Sequence, residues 1–298
     1  FPVVGDEDAL YFGSSSEDKV GCLGAQDGKI RWTFFTEGPV RLAPTLVGES
    51  LFVGSDDGHI YRLRTTDGNL EWKTRPGPRD YRIPGNGRLI SAWPARTGVL
   101  VQEGVAYAGV GMFPSEGVYV CAMNAENGEL LWKTEQKDLP AQGYLVASSS
   151  RLYVPTGRNN PVVLDIHDGK RQQVLDGDGG SYALLTEDAL VFGPGKTGTL
   201  GFVESNRADQ LASFKGNHMI VTSEMSYLQS DTHLSALDRQ LYLKLARERR
   251  ALQSRQKTAA EELKKTKVTS LTKRKMLQTQ LTELGKAIDV KTTEMGEC

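Results

Sequence analysis

The side chains best suited to bind a ligand lie in one segment, between residues 73 and 105. Its candidate binding residues are three arginines and two aromatic residues: Arg79, Tyr81, Arg82, Trp93 and Arg96. A guanidinium group forms paired hydrogen bonds with carboxylates and phosphates, so this set is predicted to line a pocket for an anionic or sugar-like ligand. Long loops are also where binding residues concentrate. In the alternative interpretation, Trp93 packs into the protein and the arginines face water.

Residues that commonly bind metals or carry out catalysis are sparse and scattered. The four histidines are isolated and lack spacings such as HxxxH: His59, His167, His218 and His233. We expect each to be a turn or surface residue. The cysteines form no CxxC pair. Cys22 and Cys121 are expected to be buried strand thiols, with a disulfide or a reactive thiol as the alternative. No metal site and no catalytic residue are predicted.

A short pattern that returns three times indicates what positions the ligand-binding segment. Each copy has Asp or Asn, then Gly, then an aliphatic residue and a Trp at alternate positions. The repeated structural residues are Gly28 and Trp32, Gly68 and Trp72, Gly128 and Trp132, and Gly169, after which Gln173 replaces the Trp. The Asp-Gly step predicts a two-residue hairpin turn, because Gly accepts positive φ angles. The aliphatic residue and the Trp are predicted to share one face of the next strand, where the Trp fills the gap between sheets.

Short β-rich runs upstream of these turns complete the repeating unit. They are Leu10–Gly13, Leu51–Gly54, Ala106–Gly109, Leu152–Pro155 and Leu190–Gly193. A unit of short strands and turns that repeats every 40 residues or so is typical of β-propeller blades. Residues 1–238 are therefore predicted to form about five to six blades of an incomplete ring. The segment between Trp72 and Ala106 is longer than the repeat needs, which makes it an insertion between the second and third blades.

The unit resembles the repeat of the pyrroloquinoline-quinone (PQQ) family of bacterial β-propellers. The run Val53–Tyr61 followed by Asp67–Trp72 is similar to the family pattern of a strand, a GSxDG turn, an aromatic strand and TGxxxW. The resemblance covers residues 1–238, most closely in the first three units. It implies a PQQ-repeat β-propeller in the periplasm or cell envelope. The family includes quinoprotein alcohol dehydrogenases, an outer-membrane assembly lipoprotein and large envelope proteins of unassigned role.

The resemblance also implies what a catalytic member would need. The dehydrogenases have vicinal cysteines beneath the cofactor, a Ca²⁺ site with acidic and amide ligands, and an Asp base. This sequence has no Cys-Cys pair, and the Ca²⁺ ligands and the base do not match numbered residues. The segments Leu89–Pro94, Gln142–Leu145 and Gly216–Val221 are more similar to the unassigned envelope proteins. No cofactor is therefore expected, with PQQ and Ca²⁺ as the alternative.

Residues 239–298 differ abruptly from the preceding part of the chain and are predicted to be helical. They carry 15 Lys and Arg against 7 Asp and Glu, whereas residues 1–238 carry 21 against 30. Leucines spaced as in a coiled coil run from Leu277 to Ile288, and Val268–Ser270 interrupts the helix-forming residues. The segment is predicted to form a second domain, either an antiparallel helical hairpin or one continuous helix. Aromatic residues are nearly absent after Tyr242, so contact with protein is expected rather than with nucleic acid or a membrane.

Two functions of different classes remain open from the sequence. The first is a non-catalytic propeller scaffold of a larger bacterial protein, which binds a protein or a small ligand on one face and uses its helical arm for assembly or self-association. The second is a PQQ-dependent dehydrogenase or a degenerate relative of one. A polysaccharide-binding or hydrolytic propeller is a third possibility that rests only on the inserted loop and on the net negative charge of residues 1–238. No transmembrane segment is predicted, because no apolar run approaches about 18 residues.

Overall fold

The computed structural model describes residues 3–85, 87–157, 159–175, 182–186, 189–193, 199–204, 210–267 and 270–298. Five four-stranded antiparallel sheets follow one another along the chain, and each is one blade. Blade one contains β1 (Val3–Gly5), β2 (Ala9–Ser14), β3 (Lys19–Gly24) and β4 (Ile30–Phe35). Blade two contains β5 (Thr45–Val47), β6 (Ser50–Gly54), β7 (Ile60–Arg64) and β8 (Leu70–Thr74).

A two-stranded hairpin separates blade two from the later blades. It consists of β9 (Arg82–Gly85) and β10 (Arg88–Ser91). Blade three contains β11 (Leu100–Gln102), β12 (Val105–Val110), β13 (Val118–Asn124) and β14 (Leu130–Gln136). Blade four contains β15 (Val146–Ala147), β16 (Arg151–Thr156), β17 (Asn159–Asp165) and β18 (Arg171–Val174). Blade five contains β19 (Tyr182–Leu185), β20 (Ala189–Gly193), β21 (Thr199–Glu204) and β22 (Gln210–Lys215).

The last sheet has three strands and leads into two helices. Its strands are β23 (His218–Val221), β24 (Met225–Gln229) and β25 (Leu234–Asp238). The helices are α1 (Arg239–Lys265) and α2 (Leu271–Gly296). First strands of neighbouring blades contact one another, β1 with β5 and β5 with β11, as in a propeller. Within the described residues, the five blades and the last sheet do not close a ring, which confirms the predicted incomplete all-β propeller.

The hydrophobic core is divided into one cluster for each junction between neighbouring sheets. The repeated tryptophans belong to these clusters, and each indole Nε1 donates a hydrogen bond to a carbonyl of the next blade. The bonds run from Trp32 to Thr65 (2.7 Å), from Trp72 to Ala125 (3.1 Å) and from Trp132 to Ile166 (3.1 Å). The indoles therefore fill the gaps between blades and also join their backbones.

The turn glycine of the next blade completes each tryptophan junction. A Cβ on Gly128 would lie 2.7 Å from Cδ2 of Trp72, and the φ of Gly128 is +75°. The same contact joins Gly68 to Trp32 and Gly169 to Trp132. Glycine is required here for two reasons, because a side chain would both strain the backbone and displace the indole.

The predicted two-residue turn is wrong, because the loop between the last two strands of a blade is longer. In blade one it spans the five residues between Gly24 and Ile30. The amide of Gly28 donates to the carbonyl of Gly24 at 2.9 Å, so one helical turn precedes the left-handed glycine. This geometry moves the glycine away from the strand ends, to the position where its counterparts meet a neighbouring tryptophan.

The prediction that the aliphatic residue shares the tryptophan's face is also wrong. In blade one Trp32 lies opposite Cys22 and Ile30 lies opposite Leu23, which leaves Arg31 as a bulge. Neighbouring residues of β3 face opposite sides of the sheet, so Ile30 and Trp32 also face opposite sides. Ile30 is 68% exposed, whereas Trp32 is 8% exposed. Blades two and three carry the same bulge.

The two helices form an antiparallel hairpin, which settles the alternative left open by the sequence. Glu248 in α1 pairs with Lys291 near the end of α2 at 2.9 Å, and Glu262 pairs with Lys273 near its start at 2.8 Å. The amide of Asp238, at the end of β25, donates to the carbonyl of Cys298 at 3.2 Å, so the hairpin returns to its starting point. The division into two domains at this point stays a prediction. Within the described residues, neither helix has an apolar stretch able to span a membrane.

Cysteine placement follows the sequence prediction. Cys22 lies in β3 and Cys121 in β13, and both thiols are buried and free. Burial raises the pKa of Cys121 to about 12 and raises that of Cys22 as well. Both side chains therefore act as small apolar core residues at neutral pH.

Candidate functional site

The loops that follow the second and fourth strands of blades one to three open at one edge of these sheets. Strand direction alternates in an antiparallel sheet, so the ends of the second and fourth strands lie on the same side. We call the surface made by these loops the insertion face, which comprises residues 15–18, 36–44, 55–59, 75–99, 111–117 and 137–145. The inserted hairpin β9–β10 belongs to the fourth of these loops. All five sequence-predicted ligand residues therefore lie on this face.

Ion pairs hold the inserted hairpin over blade one. Arg82 in β9 pairs with Glu37, and Arg88 in β10 pairs with Asp18. The hydrogen bond from Arg82 holds the pKa of Glu37 below its ordinary range. Each of these pairs is partly exposed, so each contributes less than about 1 kcal/mol to stability. Their function in the fold is to orient the hairpin, because they connect it to two different loops of blade one.

The other predicted residues divide between the surface and the core. The Arg79 guanidinium lies over the Tyr81 ring at 5.0 Å, and Tyr81 is 47% exposed. Trp93 is buried, and its Nε1 donates to the carbonyl of Glu116 at 2.8 Å. Arg96 lies beneath the surface next to Asp56. Trp93 and Arg96 therefore support the loops, while Arg79 and Tyr81 remain accessible. Ligand binding by the set stays a prediction.

Asp56 is a buried carboxylate between two arginines. Its Oδ2 accepts a hydrogen bond from Nε of Arg41 at 2.7 Å, and its Oδ1 lies 3.6 Å from Nη1 of Arg96. The backbone of Asp56 also joins blade one to the insertion, because its amide donates to Pro39 and its carbonyl accepts from Ser91, both at 2.8 Å. Burial raises the pKa of Asp56, although both arginines act in the opposite direction.

Asp57 is buried beside Asp56 but has a different environment. Its Oδ2 accepts from the Tyr61 hydroxyl at 2.6 Å and from the Glu37 amide at 3.0 Å. Its Oδ1 accepts from the His59 amide at 2.8 Å and lies 3.2 Å from His59 Nδ1. Burial by itself would raise the pKa of Asp57, but the hydrogen bonds from His59 and Tyr61 outweigh it and lower the pKa. Asp57 therefore stays ionised as an acceptor that fixes the loop.

These residues form a carboxylate cluster: Arg41, Asp56, Asp57, His59, Tyr61 and Arg96. Of this set, only Arg96 was among the sequence-predicted ligand residues. The run of Asp56, Asp57 and Gly58 was predicted to be only a turn. His59 lies in the turn before β7, which is one of the two expected placements, and its side chain is buried, at 7% exposed. Two acids directly before a turn glycine were the available signal. Gly58 (φ +89°) is covered by Ser91, since a Cβ there would lie 2.6 Å from Ser91 Oγ.

The carboxylate cluster does not fit a calcium ion. Ca²⁺ takes six to eight oxygen ligands, but the Asp57 oxygens already accept hydrogen bonds from three groups. Asp56 faces two guanidinium groups, whose positive charge would repel a cation. Among the residues that the structure describes, no three His, Cys, Asp or Glu side chains form a group able to hold a metal. We derive no quinone or calcium chemistry from this cluster.

The accessible part of the insertion face is rich in aromatic and apolar side chains. Leu89 is 59% exposed, Phe113 is 48% exposed and Tyr144 is 42% exposed, in addition to Tyr81. They come from the inserted hairpin and from two loops of blade three. The Tyr144 hydroxyl accepts a hydrogen bond from the Ala43 amide at 3.1 Å, which connects loops far apart in sequence. Exposed aromatic residues beside arginines are typical of protein-binding surfaces.

A family model for PQQ repeats, described as outer membrane protein assembly factor BamB, matches residues 1–117. Two curated relatives are polyvinylalcohol dehydrogenases. The one from Sphingopyxis sp. (strain 113P3) is 28% identical over 130 residues, which are 43% of this chain and 18% of that protein. The one from Pseudomonas sp. is 26% identical over 141 residues, which are 44% of this chain and 19% of that protein. The chain thus spans less than a fifth of either relative.

Solved structures share the fold over most of the described chain. BamB from Moraxella catarrhalis superimposes with a TM-score of 0.59 at 15% identity, covering 80% of this chain and 73% of that one. Quinohemoprotein alcohol dehydrogenase from Comamonas testosteroni gives a TM-score of 0.54 at 15% identity, covering 74% and 43%. The PQQ-repeat model thus matches the first 117 residues, and the solved structures share the β-propeller fold with this chain.

Proposed function

We propose that this chain is a non-catalytic binding scaffold that holds a protein partner on the insertion face. The observation that carries the proposal is the contrast between a fixed base and an accessible rim. The base is the carboxylate cluster, where Asp57 alone accepts hydrogen bonds from three groups. The rim carries exposed Tyr81, Leu89 and Phe113. A rigid base lowers the entropy lost on binding, and exposed aromatic residues supply the contact area.

The likeness to BamB supports this proposal over a small-molecule enzyme. That protein is named for outer membrane protein assembly, and this chain covers 73% of its length. The dehydrogenase from Comamonas testosteroni is covered to only 43%. By the same likeness we propose a periplasmic or cell-envelope location. The helical arm would then add a second contact surface to the assembly.

Site-specific photo-crosslinking in the native host tests the proposed binding face. Benzoylphenylalanine would replace Tyr81, Leu89 or Phe113 one at a time in the full-length protein. We expect adducts to one common partner from these positions, because all three lie on the rim. Leu130 is the matched control, since it is 41% exposed but begins β14 at the opposite edge of its blade. Its substitution should give no adduct to that partner.

The outcome separates the rim from the rest of the surface. Equal labelling from Leu130 and Tyr81, or no adduct from any rim position, would contradict binding at the insertion face. Arg79→Ala combined with Tyr81→Ala supplies a second test, because both side chains are accessible and neither is part of the core. We expect this pair to reduce partner capture at least tenfold, as central aromatic and arginine contacts do at protein interfaces.

The alternative is a PQQ-dependent dehydrogenase or a degenerate relative of one. It is favoured by the sequence matches to two polyvinylalcohol dehydrogenases, at 28% and 26% identity over less than half of this chain. The alternative predicts saturable binding of PQQ in the presence of Ca²⁺, which the scaffold proposal does not. The ligands would then have to come from outside the carboxylate cluster, because its arginines disfavour a cation.

A further inference from the structure

Among the described residues, the helical hairpin packs against the propeller at one end, which we call the root: the start of α1 and the end of α2. The residues of α1 that bury against the last sheets are Leu243, Leu245 and Ala246, all near its start, and Met295 of α2 joins them. Farther along α1, Ala259 is the next buried side chain. A helix of this length extends about 40 Å. The far end of the hairpin therefore lies well away from the blades.

Positive charge gathers at that far end, which we call the basic tip (residues 264–267 and 270–276). The basic tip holds six cationic residues and no acidic one: Lys264, Lys265, Lys267, Lys273, Arg274 and Lys275. The hairpin as a whole is mixed in charge, with 15 basic and 7 acidic residues between 239 and 298. Seven further basic residues lie between residues 239 and 257, together with Glu248, so the basic tip differs from that stretch in having no acidic residue.

Part of this charge has a role within the fold, because Lys264 and Lys265 lie in the last turn of α1, where the helix dipole favours cations. Lys273 pairs with Glu262, and Arg274 donates to the carbonyl of Thr266 at 3.0 Å, which fastens the turn. Within the described residues, Lys264, Lys265, Lys267 and Lys275 are exposed and form no ion pair. Lys273 and Arg274 lie in the first turn of α2, where the helix dipole disfavours cations and where no acidic residue compensates. This arrangement favours an anionic partner outside the molecule.

Two apolar side chains accompany the lysines. Leu271 is 75% exposed and Met276 is 62% exposed, and both belong to the first two turns of α2. A nucleic acid or an acidic peptide could bind through the lysine charges alone and would not need the two apolar side chains. A bilayer with anionic headgroups uses both features, because lysines pair with the headgroups while short apolar residues enter the interface. Aromatic residues are nearly absent from the helices, but the tip offers the apolar side chains of Leu271 and Met276 at one end.

We propose that the basic tip docks the helical arm onto the surface of an anionic phospholipid bilayer. The arm would lie on the membrane surface only at its end, and the propeller would be held roughly the length of the hairpin away from it. This proposal does not depend on the partner of the insertion face, because the two surfaces belong to different parts of the chain.

Flotation with lipid vesicles tests the proposal on the full chain. The probes are phosphatidylcholine vesicles and vesicles of phosphatidylcholine and phosphatidylglycerol at a ratio of about 7:3, because a surface lysine gains about 1 kcal/mol only at an anionic surface. We expect binding to the second kind alone. Replacing Lys265, Lys267 and Lys275 together by Gln should weaken it roughly 100-fold. The matched control replaces Lys244, Lys257 and Lys286, which are exposed lysines of the same hairpin away from the tip. It should change binding less than about threefold.

Leu271→Ser separates a bilayer from a soluble polyanion. We expect it to weaken vesicle binding roughly fivefold through loss of apolar contact, while binding to polyglutamate stays unchanged. Circular dichroism of every variant checks that the hairpin stays helical. The proposal is overturned if anionic vesicles do not bind, or if both lysine triplets weaken binding equally. It is also overturned if polyglutamate or a DNA duplex binds the tip and vesicles do not.

Discussion

The first three blade junctions and the last one are filled in different ways. At the first three, an indole from one blade meets a glycine of the next, and the indole donates to that blade's backbone. At the last junction, Ala212 takes the register position of the tryptophan, and Phe214 packs against Tyr242 of α1 with ring centroids 5.2 Å apart. The helical root thus supplies apolar volume that the repeat supplies elsewhere. The difference teaches that a propeller junction needs a large apolar plug but not a particular element to provide it.

Removing an indole should have the largest effect. We expect Trp72→Ala to lower the free energy of unfolding by about 3–5 kcal/mol, because it leaves a cavity between blades two and three. Denaturant titration measures this change. Leu70→Ala is the matched control, since Leu70 belongs to the same motif but is 43% exposed; it should cost less than about 1 kcal/mol. Similar losses for the two variants would contradict the bulged geometry of the repeat.

Shortening a buried side chain at the helical root, as in Leu243→Ala, should destabilise the last junction by about 2–4 kcal/mol. The effect should be confined to that part of the chain. Leu243 is 4% exposed and packs in the cluster that joins blade five, the last sheet and the hairpin. In Leu243→Ala, amide hydrogen exchange should therefore accelerate in residues 218–298 and remain unchanged in blades one to three. Leu241→Ala is the control, because Leu241 is 44% exposed on the same helix turn. Uniform acceleration throughout the chain would show that the two regions unfold together.

Neutralising Asp57 should destabilise the tryptophan-joined region by roughly 1–3 kcal/mol at neutral pH, because its hydrogen bonds come from three groups. The pKa of Asp57 is lowered in the folded state, so its contribution is complete above the ordinary Asp pKa of about 4 and is lost as pH falls below it. Asp57→Asn should thus be less stable at pH 7 and lose less stability on acidification. Thermal unfolding from pH 7 to pH 3 measures both. If Asp57→Asn lost as much stability as the wild-type protein between pH 7 and pH 3, the stabilising role of the ionised Asp57 would be contradicted.

The smallest effect should distinguish backbone strain from packing at the turn glycines. Gly28 and Gly128 occupy equivalent turns with φ of +65° and +75°. A Cβ on Gly28 meets nothing within 4 Å, whereas a Cβ on Gly128 would lie 2.7 Å from the Trp72 ring. We expect Gly128→Ala to cost about 1–2 kcal/mol more than Gly28→Ala. Equal losses in the two denaturant titrations would show that the positive φ alone requires glycine.

The repeat made much of the fold predictable from the sequence. The Trp and Gly at fixed spacing indicated propeller blades, and the loss of Pro and Gly after Asp238 indicated helices. The turn and the face of the aliphatic residue were not predictable in the same way. The face of the aliphatic residue depends on a bulge, which adds one residue to a strand without changing the hydrophobic pattern, and the turn depends on a five-residue loop that contains one helical turn. Local propensity gives no signal for such an insertion.

The candidate site was less predictable than the fold. The insertion and its accessible residues Arg79 and Tyr81 were predictable from the sequence, whereas the burial of Asp56 and Asp57 was not. Their burial results from three loops that are distant in sequence, around residues 39, 56 and 91, so a local pattern shows only a turn. Trp93 could be assigned either to a ligand or to the core until its contact with Glu116 was known.

Our proposal is that this propeller binds a protein partner and does not bind PQQ. Titration of the folded protein with PQQ in the presence of Ca²⁺, followed by tryptophan fluorescence and calorimetry, tests it most directly. We expect no saturable heat or quenching, because Arg41 and Arg96 disfavour a cation at the carboxylate cluster. Saturable one-to-one binding with a dissociation constant on the order of micromolar or tighter, about −8 kcal/mol, would contradict the claim and favour the dehydrogenase.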